Sequence, residues 1–198
     1  MEKRLSRDYF NSRAEHWDES VRNNDPVKLR AMANQLEIKP DDWILDVGTG
    51  TGVFIPYLAE KLNGAGKIFC ADFAINMLLK ALSKNSKDVD YVCTDIENPG
   101  IEGRCFDVII CYSTFPHFHD KPAALRYLSL FLKPGGSIYI CHTASRNTIN
   151  EIHKNIPDLQ DHLIPDYVEM AQLLSVNGFS DISIKEDDSV YLAAAKVF

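Results

Sequence analysis

The stretch ILDVGTGTG, residues 44–52, decides the fold. An apolar run ending in an acid opens directly into Gly48, Gly50 and Gly52, and VFIPYLAEKL (53–62) follows with apolar residues at three-to-four spacing. Glycines at such a place let the backbone turn tightly and let a ligand approach main-chain N–H groups. The spacing is G-x-G-x-G, not the G-x-G-x-x-G of a dinucleotide fold. Outward from this loop, short apolar runs recur at KIFCAD (67–72), VDYVCTD (89–95), FDVIICY (106–112) and SIYICHT (137–143). Amphipathic stretches AINMLLKALSKN (74–85) and PAALRYLSLFL (122–132) lie between them. This alternation predicts an α/β chain with a doubly wound, Rossmann-like, mostly parallel sheet and helices on both faces.

Pro134 and the glycines of LKPGG (132–136) stop the third crossover helix. SRNTINEIHKNIP and DYVEMAQLLSVNGF then predict two more helices. SDISIKEDD and VYLAAAKVF predict two strands joined by a polar turn near Asp187–Ser189, an antiparallel hairpin that brings the sheet to seven strands. Between Asp95 and FDVII the segment IENPGIEGRC is too short for a full helix. The expected organisation is one domain over 1–198. It comprises an amino-terminal helical cap segment (1–41), a ligand-binding core (42–142), a further part of the cap (143–165), and a helix with the terminal strand pair (166–198).

At 198 residues, 45% hydrophobic and 25% charged, the chain has enough apolar material for an ordinary core. No apolar run is long enough to span a membrane, and the polar start MEKRLSRDYFNSRAEHWDE has no signal-peptide core. A cytoplasmic protein with no membrane partner is expected. The net charge of −7 and the lack of a cationic block argue against nucleic acid. Five cysteines without a CxxC pair, Cys70, Cys93, Cys105, Cys111 and Cys141, read as reduced, mostly core residues.

Asp46, Asp72 and Asp95 end the first three strands, and ligands of open α/β sheets bind beyond the carboxyl ends of strands. With the glycine loop, these acids make the chain resemble a class I S-adenosylmethionine-dependent methyltransferase of the small-molecule type. The resemblance is strongest over 43–140. It implies that Gly48, Thr49, Gly50 and Gly52 form the loop beneath the methionine part of S-adenosyl-L-methionine, with Asp46 as anchor. Asp72 would take the ribose hydroxyls, Phe73 and Met77 would pack on the adenosine, and Asp95 with Ile96 would read and cover the adenine. The Cys111 carbonyl would meet the cofactor's amino group.

YSTFPHFHD replaces the asparagine-proline-proline-aromatic signature of methyltransferases that act on DNA bases or amides. A small-molecule acceptor is therefore expected. Tyr9 and Trp17 are expected in a cap near the reacting methyl. Strands four and five are neighbours, so His117 and His142 leave the sheet side by side. A helix from 146 places Arg146, Asn150 and His153 on one polar stripe facing the pocket, with Ile149, Ile152 and Ile156 facing the core. His117, His142 and His153 are the candidate catalytic groups, and Arg146 and Asn150 candidate substrate contacts. His117, His119, His142 and His153 are also weak candidates for a divalent metal, their spacing matching no standard zinc pattern. Two other readings remain, an NAD(P)-dependent oxidoreductase and a non-catalytic cofactor- or metal-binding accessory protein. A monomer and a homodimer are both compatible with the sequence.

Overall fold

The computed structural model describes residues 2–20, 25–85, 89–100 and 103–198. The glycine stretch forms the expected unit: β1 (Trp43–Val47), the loop, then α4 (Ile55–Leu62), preceded by α1 (Glu2–Arg13), α2 (Trp17–Ser20) and α3 (Pro26–Ala33). The chain continues through β2 (Lys67–Asp72), α5 (Ile75–Lys84), β3 (Val89–Cys93), β4 (Phe106–Tyr112), α6 (Lys121–Phe131) and β5 (Leu132–His142). It ends with α7 (Arg146–Lys154), α8 (Tyr167–Val176), β6 (Phe179–Glu186) and β7 (Tyr191–Val197).

The seven strands lie in the order β3-β2-β1-β4-β5-β7-β6. β1 to β5 pair in parallel, while β7 inserts antiparallel between β5 and β6. The terminal hairpin thus forms with its second strand inside and its first at the edge. Strand alternation assigns the core. On β1 and β4, Leu45, Val47, Ile109 and Cys111 pack toward one face with α6 and α8 residues such as Leu128 and Met170. Ile44, Val108, Ile110 and Tyr112 pack toward the other with Leu29 of α3 and Leu58 of α4.

One boundary moved. LKPGG does stop α6, and Gly135 takes φ 78°, but these residues continue as the start of β5 rather than as a separate turn. Leu132 pairs with Phe106 and the register shifts before Val108, so a bulge absorbs the Pro-Gly-Gly segment. No helix occurs between β3 and β4 among the described residues, and Ile101 and Glu102 of that segment lie outside them. Of the cysteines, Cys70, Cys111 and Cys141 are buried; Cys105 is half-buried and Cys93 exposed, so the core reading holds for three. No helix among the described residues is long and apolar enough to cross a membrane.

Because β1 to β5 run in parallel, Val47, Asp72, Cys93, Tyr112 and His142 end at one rim. The strand order reverses between β1 and β4, the place where open sheets leave a crevice.

Candidate active site

A cavity of about 750 Å³ opens at this rim, walled by the glycine loop, the β2 and β3 exits, the segment after β4, α7 and the amino-terminal helix. Gly48 and Gly50 take φ 64° and 55°, left-handed conformations natural to glycine. The loop is held from behind. Gly48 N–H donates to the Ala71 carbonyl at 2.7 Å, and Thr49 Oγ1 donates to Asp46 Oδ2 at 2.5 Å. Asp46 is buried beneath the loop, and burial raises its carboxyl to about 7 against the lowering effect of Thr49. Asp46 therefore anchors the loop from outside the cavity wall; Gly52 and Cys111 likewise lie behind the wall, while Tyr112 and Ser113 form part of it.

Asp72 faces the cavity and braces the loop at once. Its Oδ2 accepts Gly50 N–H at 2.9 Å and its Oδ1 accepts Ala74 N–H at 2.8 Å. Burial raises this carboxyl to about 6, opposed by those amide hydrogen bonds. Phe73, Met77, Asp95 and Ile96 share the same side of the wall. Lys3 of α1 reaches across to Asp95 Oδ2 at 3.0 Å and Glu97 Oε2 at 2.5 Å, closing the cavity over these residues. Phe10 continues the strap, its ring 5.9 Å from Phe73 and 5.1 Å from His117. Tyr9 and Trp17 both line the cavity, their rings 6.5 Å apart, and the Arg13 guanidinium lies 3.7 Å over Tyr9.

Five of the six histidines gather at the opposite end. The ring of His117 lies 4.9 Å from that of His153 and 5.2 Å from that of His162, with 2.9 Å between the Nδ1 atoms of His117 and His162. One of those nitrogens must donate and the other accept. His153 Nδ1 sits 2.5 Å from the His162 carbonyl oxygen, and His119 Nε2 3.0 Å from Ser6 Oγ. His142, 2% exposed, also lines the cavity, and its Nε2 has no hydrogen-bond partner. Among the described residues no three His, Cys, Asp or Glu side chains are placed to hold a metal ion.

His162 escaped the sequence reading: it lies in a loop beyond α7, and no periodicity connects QDHLIP to the strand ends. Ser113 was also missed. It takes φ 53° where β4 leaves the sheet, its buried Oγ lacks a partner, and no residue pattern announces such a turn.

The polar stripe of α7 reaches the cavity only through His153, and the isoleucines, expected to face the core, line the cavity as well. Ile149, Ile152 and Ile156 line the cavity together with His153 and Leu159. Asn150 is turned into the body, its amide donating to the Ile164 carbonyl at 3.0 Å and its Oδ1 accepting Ile164 N–H at 2.8 Å. Arg146 lies off the wall, 3.5 Å from Glu186. The reason is physical: the loop after α7 needs its buried backbone groups satisfied, and Asn150 supplies a donor and an acceptor at once. Asn150→Ala is expected to cost about 1–3 kcal/mol in urea unfolding, because it orphans both Ile164 groups.

Burial disfavours the charged form of four of these histidines. It pushes His142 down to about 3 and His162 to about 4, and lowers His117 well below its ordinary value, helped by the neighbouring imidazoles and Lys121. His153 is lowered by burial too, against its bond to the His162 carbonyl. A base whose folded pKa is depressed contributes stability in full above its unfolded value near 6.5, and loses it as pH falls toward the folded value. Asp46 and Asp72, raised, act oppositely: their burial favours the fold most below about pH 4 and least above their folded values of about 7 and 6. His142→Phe isolates one histidine. The stability lost between pH 7 and pH 5 is expected to be smaller in the variant by about 2 kcal/mol, read from urea midpoints at both pH values.

An open sheet of this order with a glycine-loop crevice at its switch point is that of the class I methyltransferases. Residues 44–136 match the family model described as a methyltransferase domain. The chain therefore carries a methyltransferase domain over these residues, on a fold of the class I type. It is 27% identical over 171 residues to phosphoethanolamine N-methyltransferase 1 of Arabidopsis thaliana, covering 84% of this chain and 34% of that protein. It is 32% identical over 159 residues to malonyl-[acyl-carrier protein] O-methyltransferase of Priestia megaterium, covering 77% of this chain and 56% of the relative. The chain thus spans about a third of the length of the plant relatives it matches. Among solved structures, a SAM-dependent methyltransferase from Aquifex aeolicus shares the fold with a TM-score of 0.72 at 20% identity, over 88% of this chain and 95% of that one.

Proposed function

We propose that this chain transfers a methyl group from S-adenosylmethionine to a small-molecule nucleophile. One observation carries the proposal: a single cavity joins a glycine-loop and carboxylate end to an aromatic and imidazole end, as a donor and an acceptor meeting in line require. The residues fit the cofactor. Gly48, Thr49 and Gly50 offer a bare backbone for the methionine part, with Asp46 anchoring from behind. Asp72 has oxygens for the ribose hydroxyls, and Phe73, Met77 and Ile96 have apolar surface for the adenosine. Asp95 would take the adenine amino group, sharing its carboxylate with Lys3 or displacing it, whereas Cys111, whose carbonyl the resemblance assigns to the cofactor's amino group, lies behind Tyr112 and Ser113. When bound, the cofactor supplies the electrophilic methyl.

The chain's own part is to orient the acceptor, exclude water and receive a proton where one is released. Tyr9, Trp17 and Phe10 close the cavity from the strap, beside the imidazole end. The named relatives are N- and O-methyltransferases, which supports methylation of a small acceptor without fixing the atom. A cytoplasmic setting and action away from nucleic acid belong to the same proposal, supported by five free thiols and the acidic net charge of −7. The chain is proposed to act as a monomer or homodimer. Titration calorimetry against S-adenosylmethionine and NAD tests the reading. Binding of the sulfonium and not the dinucleotide is expected; the reverse would assign the chain to nicotinamide chemistry.

A further inference from the structure

Resting on the methyl-transfer reading, we infer that the acceptor is a compact, largely apolar thiol or hydroxyl compound, and that His153 Nε2 takes its proton, with the His162 main chain positioning the imidazole. The geometry leaves His153 one role. A carbonyl oxygen can only accept, so the 2.5 Å contact with the His162 carbonyl requires that His153 Nδ1 carry its proton. Neutral His153 therefore has its lone pair on Nε2. Its side chain lies on the cavity wall, so this nitrogen is the one left to serve a bound molecule. His162 is itself held by its Nδ1 contact with His117, and Ile164, two residues on, by Asn150. The carbonyl that orients His153 thus stands on a loop tied at both ends.

The surroundings select the acceptor. His117 faces His153 from the turn after β4, His142 from the end of β5 and His162 from the loop after α7, with Lys121 of α6 and His119 beyond them. An amine arrives at neutral pH as an ammonium ion, and the groups that face His153 are imidazoles with a lysine beyond them, the one acid beside His162, Asp161, lying off the cavity wall. The carboxylates on the wall are engaged: Asp72 holds loop amides, while Asp95 and Glu97 hold Lys3. A carboxylate acceptor needs no base at all. A thiol or hydroxyl arrives neutral, needs to lose a proton, and packs its apolar body on Ile149, Ile152, Ile156 and Leu159.

In the reaction the acceptor's O–H or S–H proton passes to His153 Nε2, and a lone pair of that oxygen or sulfur forms the bond to the methyl carbon. The methyl-to-sulfonium bond breaks with its electron pair remaining on sulfur. The products are a methyl ether or thioether, S-adenosylhomocysteine and an imidazolium that returns its proton to solvent.

Two probes separate a base from a structural residue. 2-Phenylethanethiol is un-ionised at neutral pH; 4-nitrothiophenol is already a thiolate. His153→Asn keeps an N–H toward the His162 carbonyl and removes the basic nitrogen. With this variant, methylation of phenylethanethiol is expected to fall ~10²–10⁴-fold while that of nitrothiophenolate is little changed. Independently of turnover, two-dimensional ¹⁵N–¹H spectra of the ligand-free protein are expected to show His153 as the Nδ1–H tautomer. Equal losses on both probes, an Nε2–H tautomer, or no methylation of either probe by the native protein while S-adenosylhomocysteine binds would each overturn the inference. Failure to bind S-adenosylhomocysteine would instead remove the methyltransferase reading, and this inference with it.

Discussion

Asp72→Ala is expected to weaken S-adenosylhomocysteine binding by about 100-fold or more. The Asp72 oxygens accept backbone N–H groups of Gly50 at 2.9 Å and Ala74 at 2.8 Å, with Phe73 N–H close by, and a carboxylate's roughly four lone pairs leave capacity for ribose hydroxyls. Hydrogen bonds to a charged acceptor contribute about 1.5–3 kcal/mol each, so losing two removes about 3 kcal/mol or more, which is the stated factor. The same carboxylate holds the loop on which the methionine part would rest. Alanine leaves two backbone donors unpaired and relieves the burial that raises the Asp72 carboxyl to about 6, so a net stability cost of about 1–3 kcal/mol accompanies the loss of affinity. Asp72→Asn, which keeps one acceptor oxygen, is expected to fall between. Calorimetry beside urea unfolding separates the two effects. Unchanged affinity in the alanine variant would place the ribose elsewhere.

The parts legible in the sequence were those fixed by short-range rules. The inner parallel strands declared themselves because a strand buried on both faces is almost wholly apolar, as ILDV is but for Asp46 and FCA and VIIC are, while the half-exposed edge strand VDYVC was marked by its place in the alternation. Glycine at 48, 50 and 52 marked the turn because few other residues adopt its conformations. The convergence of His117, His142 and His153 followed from the adjacency of β4 and β5 and the helical start at Arg146. The orientation of α7 did not follow. A polar stripe usually faces water or a ligand, but here the stripe of Asn150 meets the Ile164 backbone and the isoleucines are left to the cavity. The competing demand was satisfaction of a loop's backbone groups, which is set by tertiary contact and leaves no periodic trace. His162 was hidden for the same reason. The insertion of β7 between β5 and β6 was equally silent, since a hairpin reads identically whichever strand lies outermost.

Gly48→Ala is expected to cost ~3 kcal/mol or more and to abolish cofactor binding, and the comparison with Gly50→Ala gives this prediction its meaning. A Cβ at position 48 would lie 1.9 Å from Thr114 Oγ1 and 2.5 Å from Thr114 Cβ, at φ 64°. The left-handed backbone alone costs an alanine roughly 1–2 kcal/mol, and overpacking adds about 1–3 kcal/mol. The loop cannot retreat, because Gly48 N–H is bonded to the Ala71 carbonyl at 2.7 Å and Thr49 to buried Asp46. Thr114 follows the strained Ser113 at the β4 exit and cannot move without disturbing the imidazole end of the cavity. Gly48→Ala combined with Thr114→Gly is expected to restore the clash component and leave the backbone cost. At Gly50 the nearest atom to an added Cβ is 4.0 Å away, so alanine there pays only for φ 55°, about 1–2 kcal/mol. It would, however, put a methyl group into the space where the cofactor is proposed to lie. Gly50→Ala should therefore lose affinity far out of proportion to stability, whereas Gly48→Ala loses both. If Gly50→Ala binds S-adenosylhomocysteine as the native chain does, the ligand does not rest on this loop, whatever the loop contributes to the fold.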